Sequence, residues 1–177
     1  MNKKVLFINT IIIFLSLFLF HNIYNLIPCS ITSFFFPVNE SLYEHLKLIV
    51  ISEFIIGLIT YLILKFKGIK VNNYILGLLI GTIITSILFF LIFLPIYNRF
   101  GENLIITMLI YLITLIIGNI VFNLISKKTY NKELNTLSLV IIIVITLILG
   151  YLTYNPLNNE FFFDPINEIY GIKNIKN

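Results

Sequence analysis

Charge is scarce in this sequence. Asp, Glu, Lys and Arg together make 11 % of 177 residues, while hydrophobic residues make 59 %. A soluble domain usually carries about 25 % charged residues, so too little polar material is present to cover a water-facing surface. Cysteine is nearly absent as well. Cys29 stands alone, which excludes an intrachain disulfide and any thiolate-built zinc or iron–sulfur centre in a single chain. No glycine-rich phosphate loop, serine elbow or dinucleotide fingerprint occurs. The net charge of +4 gathers at the ends of apolar blocks. It forms no basic groove with interleaved aromatics, so nucleic acid is not an expected partner.

What remains is apolar and comes in long blocks. They run from about 5 to 20, 46 to 66, 74 to 97, 104 to 125 and 137 to 154. Each is near the roughly 20 residues that cross about 30 Å of hydrocarbon as a helix. Barrel strands would be half as long and would alternate. The expectation is therefore an all-α, polytopic transmembrane bundle of five spans, one integral membrane domain over 1–177, multi-pass in the cell membrane. Met1–Lys4 followed by an apolar block has the outline of a signal peptide, but no small-x-small cleavage site follows. An uncleaved first helix is expected.

The loops give this bundle a direction. Lys3 and Lys4, then Lys65, Lys67 and Lys70, then Lys127, Lys128 and Lys132 all fall on one side of a five-span chain. Near the spans, the other side holds only Lys47 and Arg99; Lys173 and Lys176 lie farther out in the tail. The positive-inside rule then puts the N-terminus in the cytoplasm and the C-terminus outside. Glu40, Glu44, Glu102, Glu160, Asp164 and Glu168 gather on the outer side.

Polar chemistry concentrates in the outer segment 37–47, Pro-Val-Asn-Glu-Ser-Leu-Tyr-Glu-His-Leu-Lys. A helix that begins just after Pro37, capped by Asn39 or Ser41, puts Glu40 and Glu44 on one face. Lys47 then pairs with either carboxylate. His45 lies about 100° further round. Two carboxylates and an imidazole supply an acid–base pair or a hard-to-borderline metal site. Glu40, Glu44 and His45 are the candidate catalytic residues, with Asn39 and Lys47 as stabilising groups. His21, at the outer end of the first span, makes a candidate metal set with Glu44 and His45. An ordinary interfacial helix start with caps and salt bridges explains the same residues, and the spacing is not the His-Glu-x-x-His pattern.

Glu53 lies roughly 9 Å deeper on the second span. An ionisable group there usually faces the bundle interior, with Tyr111, Asn119 or hydroxyl groups as expected partners. It would be the coupling acid of a small transporter. The tail 155–172 is too aromatic to be disordered. Its Asp164-Pro165 and Tyr170-Gly171 turns suggest either an external cap over the bundle mouth, bringing Asp164 among the outer carboxylates, or an amphiphilic segment at the interface. Gly77 and Gly81 allow close helix approach.

The 37–47 segment, Phe163-Asp164-Pro165 and Tyr170-Gly171-Ile172 together resemble a family of small bacterial integral membrane proteins of unknown function. Its members carry a similar Pro-Val-Asn-Glu-Ser-x-aromatic-Glu-His-x-Lys segment after the first span. Tyr43 takes a position often held by tryptophan there. The resemblance covers the chain end to end and implies a shared architecture without an activity. It marks Asn39, Glu40, Glu44, His45, Lys47, Asp164 and Tyr170. Three functions stay open: a non-enzymatic membrane protein with an extracytoplasmic polar site, a membrane-embedded metal-dependent hydrolase or lipid-modifying enzyme, and a transporter using Glu53. No cofactor is specified. Lipid is the expected surrounding, with a homo-oligomer or a membrane-protein partner as open alternatives.

Overall fold

The apolar blocks form helices because a segment that is hydrophobic on every side can satisfy its backbone only within itself. In a computed structural model, which describes residues 3–101 and 103–172, there are six: α1 (Lys3–Leu26), α2 (Ser30–Phe35), α3 (Leu42–Phe66), α4 (Tyr74–Phe100), α5 (Leu104–Ile125) and α6 (Lys132–Tyr154). All but α2 are long and apolar enough to cross a membrane. Glu102, Lys173 and Lys176, which entered the charge reading, lie outside the described residues.

Helices α4 and α6 run a few residues beyond the expected blocks, to Phe100 and from Lys132, and two other boundaries bear on the polar residues. The first helix continues past Phe20 to Leu26, which carries His21 within it. The helix expected just after Pro37 begins instead at Leu42. Ser41 is its N-cap and accepts from the Glu44 backbone N–H at 3.3 Å. The short α2 was not expected. It is held by the Cys29–Thr32 cap, in which the Cys29 N–H donates to Thr32 Oγ1 at 3.1 Å.

Helix α3 is central. Its N-terminal half is buried continuously from Lys47 to Phe54, with α1 on one side and α4 and α6 on the others. Helices α4 and α5 pack most tightly, and the reason is glycine. A Cβ on Gly118 would run into the Thr85 hydroxyl and lie 2.7 Å from the Gly81 carbonyl oxygen. The small face expected at Gly77 and Gly81 is thus completed by Gly118 and permits close backbone approach. At the lysine-rich end, Asn73 ties the two loops together. Its amide donates to the Thr129 carbonyl at 2.9 Å and its oxygen accepts from the Asn131 N–H at 2.8 Å.

At the opposite end the tail folds back over the helices. Phe162 stacks on Tyr43 with ring centroids 4.4 Å apart, and the Tyr43 N–H donates to the Phe161 carbonyl at 2.9 Å. Two short antiparallel strands, β1 (Phe163–Asp164) and β2 (Ile169–Tyr170), close the tail's loop. The tail therefore packs on the first turn of α3.

Candidate functional site

Because α3 starts only at Leu42, Glu40 lies before the helix and is free of its angular phase. Consecutive helical residues point about 100° apart, so Glu44 and His45 face different neighbours. This separates the polar residues at this end of the bundle into two groups.

The first group joins three elements. His21 from α1, Glu40 from the connecting segment and His45 from the first turn of α3 bring one ligand atom each within 4.8 Å of one another. Glu40 Oε2 is 3.4 Å from His21 Nε2 and 3.6 Å from His45 Nε2. The edges of a tetrahedron with bonds of about 2.0–2.1 Å are roughly 3.3–3.4 Å long, so these separations are close to those of ligands around one zinc-sized ion. The side chains are 32 % (His21), 30 % (Glu40) and 24 % (His45) exposed, so the group is reachable from outside.

The orientation of His45 sharpens this. Its Nδ1 is 3.0 Å from the Ser41 carbonyl oxygen. A carbonyl only accepts, so Nδ1 carries the hydrogen. Nε2 of the neutral ring then directs a lone pair at the Glu40 carboxylate. That meeting is unfavourable unless a cation lies there, either a proton or a metal ion. Metal-binding imidazoles are commonly oriented by such a backbone carbonyl at the other nitrogen. The hydrogen bond from His21 holds the Glu40 carboxyl below its usual range, against the opposing effects of burial and of Asp164.

The second group is enclosed. Lys47 Nζ is 2.6 Å from Glu44 Oε2 and donates to Thr153 Oγ1 at 2.6 Å and to the Ser33 carbonyl at 3.1 Å. Thr153 in turn donates to Glu44 Oε1 at 2.9 Å. The ammonium thus has two hydrogen-bond acceptors and a carboxylate beside it, the company a buried charge requires. Glu44, expected in a metal set and in catalysis, is not brought to the histidine group, where Glu40 stands instead. The Glu44 carboxylate points to α6 and Lys47, away from the histidines. Lys47 pairs with Glu44 alone, because Glu40 is not on the helix.

Asp164 and Asn39 join the tail to the segment that carries Glu40. Asp164 is fully buried and joins no open carboxylate cluster. Its oxygens accept from the backbone N–H of Glu40 (3.2 Å), Ile166 (2.8 Å) and Asn167 (3.1 Å) and from the Asn167 amide (2.8 Å). Burial alone would push its carboxyl up; the bonds from Asn167, Glu40 and Ile166 outweigh it and bring it below the ordinary value. Asn39 donates to the Gly171 carbonyl at 2.8 Å. Gly171 has φ of +63°, and a Cβ there would lie 2.9 Å from the Thr153 carbonyl oxygen, so only glycine fits. Tyr170 is 41 % exposed and packs against Phe163, with no contact to the histidines.

Glu53 is 4 % exposed and accepts from Thr82 Oγ1 at 2.9 Å. Of its other expected partners, Asn119 donates to Thr10 instead, at 2.9 Å. The space beside Glu53 is about 10 Å³, lined by Asn9, Thr82 and Asn119 among others, room for about one water. The transporter reading needed Glu53 on a path between the two ends; packed side chains enclose it.

Two cavities meet at the histidine–glutamate group. A polar one of about 110 Å³ is lined by His21, Asn25, Pro37, Val38, Asn39, Glu40 and Asn167. An apolar one of about 300 Å³ lies between α1, α3, α4 and α5, with His21, Glu40 and His45 at its polar end and Leu17, Ile49, Phe89, Met108 and Tyr111 among its walls. Neither cavity was foreseen, since nothing in one helix's sequence says where its neighbours stand apart.

These features define a helical bundle with the composition of a membrane protein and a two-histidine, one-carboxylate cluster at one end. The chain belongs to a family of unknown function, DUF6512, whose family model matches residues 1–172. No curated protein and no solved structure matches it.

Proposed function

We propose that this is a multi-pass protein of the cell membrane, with its N-terminus in the cytoplasm, and that its extracytoplasmic end carries a metal-dependent hydrolase site. Membrane insertion is supported by the five apolar helices. It is supported also by outward faces built of residues such as Leu109, Ile113 and Ile120 on α5 or Val140, Val144 and Leu147 on α6, all at least 46 % exposed. Surfaces of that kind have lipid, not water, as their natural solvent. The orientation rests on the lysine distribution.

The observation that carries the hydrolase reading is the convergence of His21, Glu40 and His45 at spacings suited to one ion. Two imidazoles and one carboxylate fill three tetrahedral positions and leave the fourth for water or a substrate oxygen, the pattern of catalytic rather than structural zinc. A water bound there ionises near neutral pH. Both cavities are lined by His21 and Glu40, so a reactant has space to approach the cluster.

Metal analysis tests the reading. Purified wild-type protein, washed of loosely held ions, is expected to retain about one zinc per chain, the stoichiometry of a three-ligand site; His45→Ala is expected to retain background amounts. Equal and negligible zinc in the two proteins sinks the metal site and the hydrolase with it.

A further inference from the structure

We propose that the ligand of this site is an acylated lipid of the outer leaflet, its acyl chain lying in the apolar cavity and its carbonyl at the histidine–glutamate cluster. This rests on the hydrolase reading and adds the substrate class. The first argument is the polarity of the cavity. At its outer end stand His21, Glu40 and His45; deeper, its walls are Leu17 on α1, Ile49 on α3, and Met108 and Tyr111 on α5. From Leu104 to Tyr111 the α5 wall descends roughly 10 Å at 1.5 Å per residue. Polar head and apolar depth follow the order of a lipid in the surrounding leaflet.

The second argument is the side on which the cavity opens. Phe18 on α1 and Leu104 on α5 both line it, and they are 45 % and 64 % exposed. Its wall between α1 and α5 therefore faces the lipid. A chain already in the bilayer enters sideways, without crossing water. The cavity's 300 Å³ is at the lower end of the range for small-molecule sites, so it holds part of a chain, and the rest stays between the helices and the bilayer. The third argument is that a separate polar cavity reaches the same cluster at His21 and Glu40, with Asn25 and Asn39 in its walls. Water and chain thus have separate approaches. In the reaction this implies, the water oxygen bonds to the acyl carbonyl carbon. The bond from that carbon to the head group's oxygen or nitrogen breaks, and the leaving atom takes the proton that water gives up.

The experiment uses the zinc-loaded full chain in a single detergent, with acetohydroxamate and decanohydroxamate as probes. Both present the same zinc-binding head, and they differ only in the chain. Titration calorimetry is expected to show decanohydroxamate binding about a hundredfold more tightly to wild type, the gain from burying roughly three or four methylenes. Met108→Trp fills the cavity and is expected to cut that ratio below about tenfold while zinc content holds. Leu104→Trp, at the exposed rim, narrows the lateral opening at little risk to folding and is expected to lower the ratio too. Leu109→Trp, on the lipid face of the same helix, is expected to keep it, and because all proteins share one micelle, partition of the probe into detergent cancels. Equal affinities for the two probes in zinc-bound wild type overturn the lipid proposal and leave the metal site standing. So does an undiminished ratio in both Met108→Trp and Leu104→Trp. A wild-type protein without zinc, seen before any probe is added, overturns the hydrolase reading itself.

Discussion

Lys47 and Glu44 form an ion pair 2.6 Å long with both side chains sealed from solvent. A pair so placed is costly to break from one side, because the surviving charge has no water to turn to. Lys47→Met alone is expected to destabilise the protein by about 3–5 kcal/mol. The double variant Glu44→Leu/Lys47→Met removes both charges and is expected to recover most of that loss. Thermal unfolding in detergent measures both. A double variant as unstable as the single one would show that Thr153 and Ser33, not the pair, dominate.

The same double variant separates the two polar groups functionally. Since Glu44 faces α6 and His45 faces α1, zinc content is expected to survive in Glu44→Leu/Lys47→Met and to fall to background in His21→Ala. Loss of zinc in the double variant, with helical content unchanged, would return Glu44 to the ligand set.

Asp164 ties the tail to the backbone of Glu40. Asp164→Asn is expected to speed hydrogen exchange at the Glu40, Ile166 and Asn167 amides by about ten- to a hundredfold, the worth of a charge-assisted hydrogen bond. Its carboxyl is lowered in the folded state, so the stabilisation is fully present above the unfolded value of about 3.9 and is lost as pH falls through the lower folded value. In chelator-treated protein, wild type is expected to lose protection at these amides only below about pH 3.9, and Asp164→Asn to show no such step.

The direction of the bundle is open to a labelling test, because Cys29 is the single cysteine. In a Cys29→Ser background, Asn158→Cys is expected to react with a membrane-impermeant maleimide in intact cells. Lys67→Cys, exposed at the other end, is expected to react only after lysis. The opposite pattern reverses the orientation and places the histidine cluster in the cytoplasm.

Close packing of α4 on α5 gives a fourth kind of change. Gly118→Ala puts a methyl group against the Thr85 hydroxyl and the Gly81 carbonyl. Overpacking of this sort is expected to cost about 1–3 kcal/mol; Gly118→Ala/Thr85→Ala, which removes the nearest obstacle, is expected to cost less.

The five long helices were legible because each is an uninterrupted apolar block, and length alone separates such a block from a strand. The loop that sets the site was harder. Reading a helix from Pro37 put Glu40 and Glu44 on one face, whereas the chain stays irregular through Ser41 and sends the two carboxylates to different partners. The signal was present: Ser41 with Glu44 three residues on is a capping pattern that starts a helix at Leu42. His21 was placed at the same mouth from its position at the end of the first block, and it does meet His45 there, with ring centroids 5.9 Å apart. Helix α2 gave no usable signal, since six residues carry too short a stretch of periodicity to distinguish from a loop. The contact of Lys47 with Thr153 joins residues far apart in sequence, and no spacing rule reaches across that distance.

The bonds from Asn39 to Gly171 and from Glu40 to Asp164 have a consequence for the order in which the molecule is made. Translation delivers His21, Glu40 and His45 early, but Asp164, which fixes the backbone of Glu40, follows more than a hundred residues later. A ribosome-bound chain that ends short of residue 164 has all three ligands and lacks the clasp that aims one of them. The geometry of the three side chains is therefore a property of a chain long enough to include the tail, and a shorter one leaves Glu40 without the contact that sets its backbone.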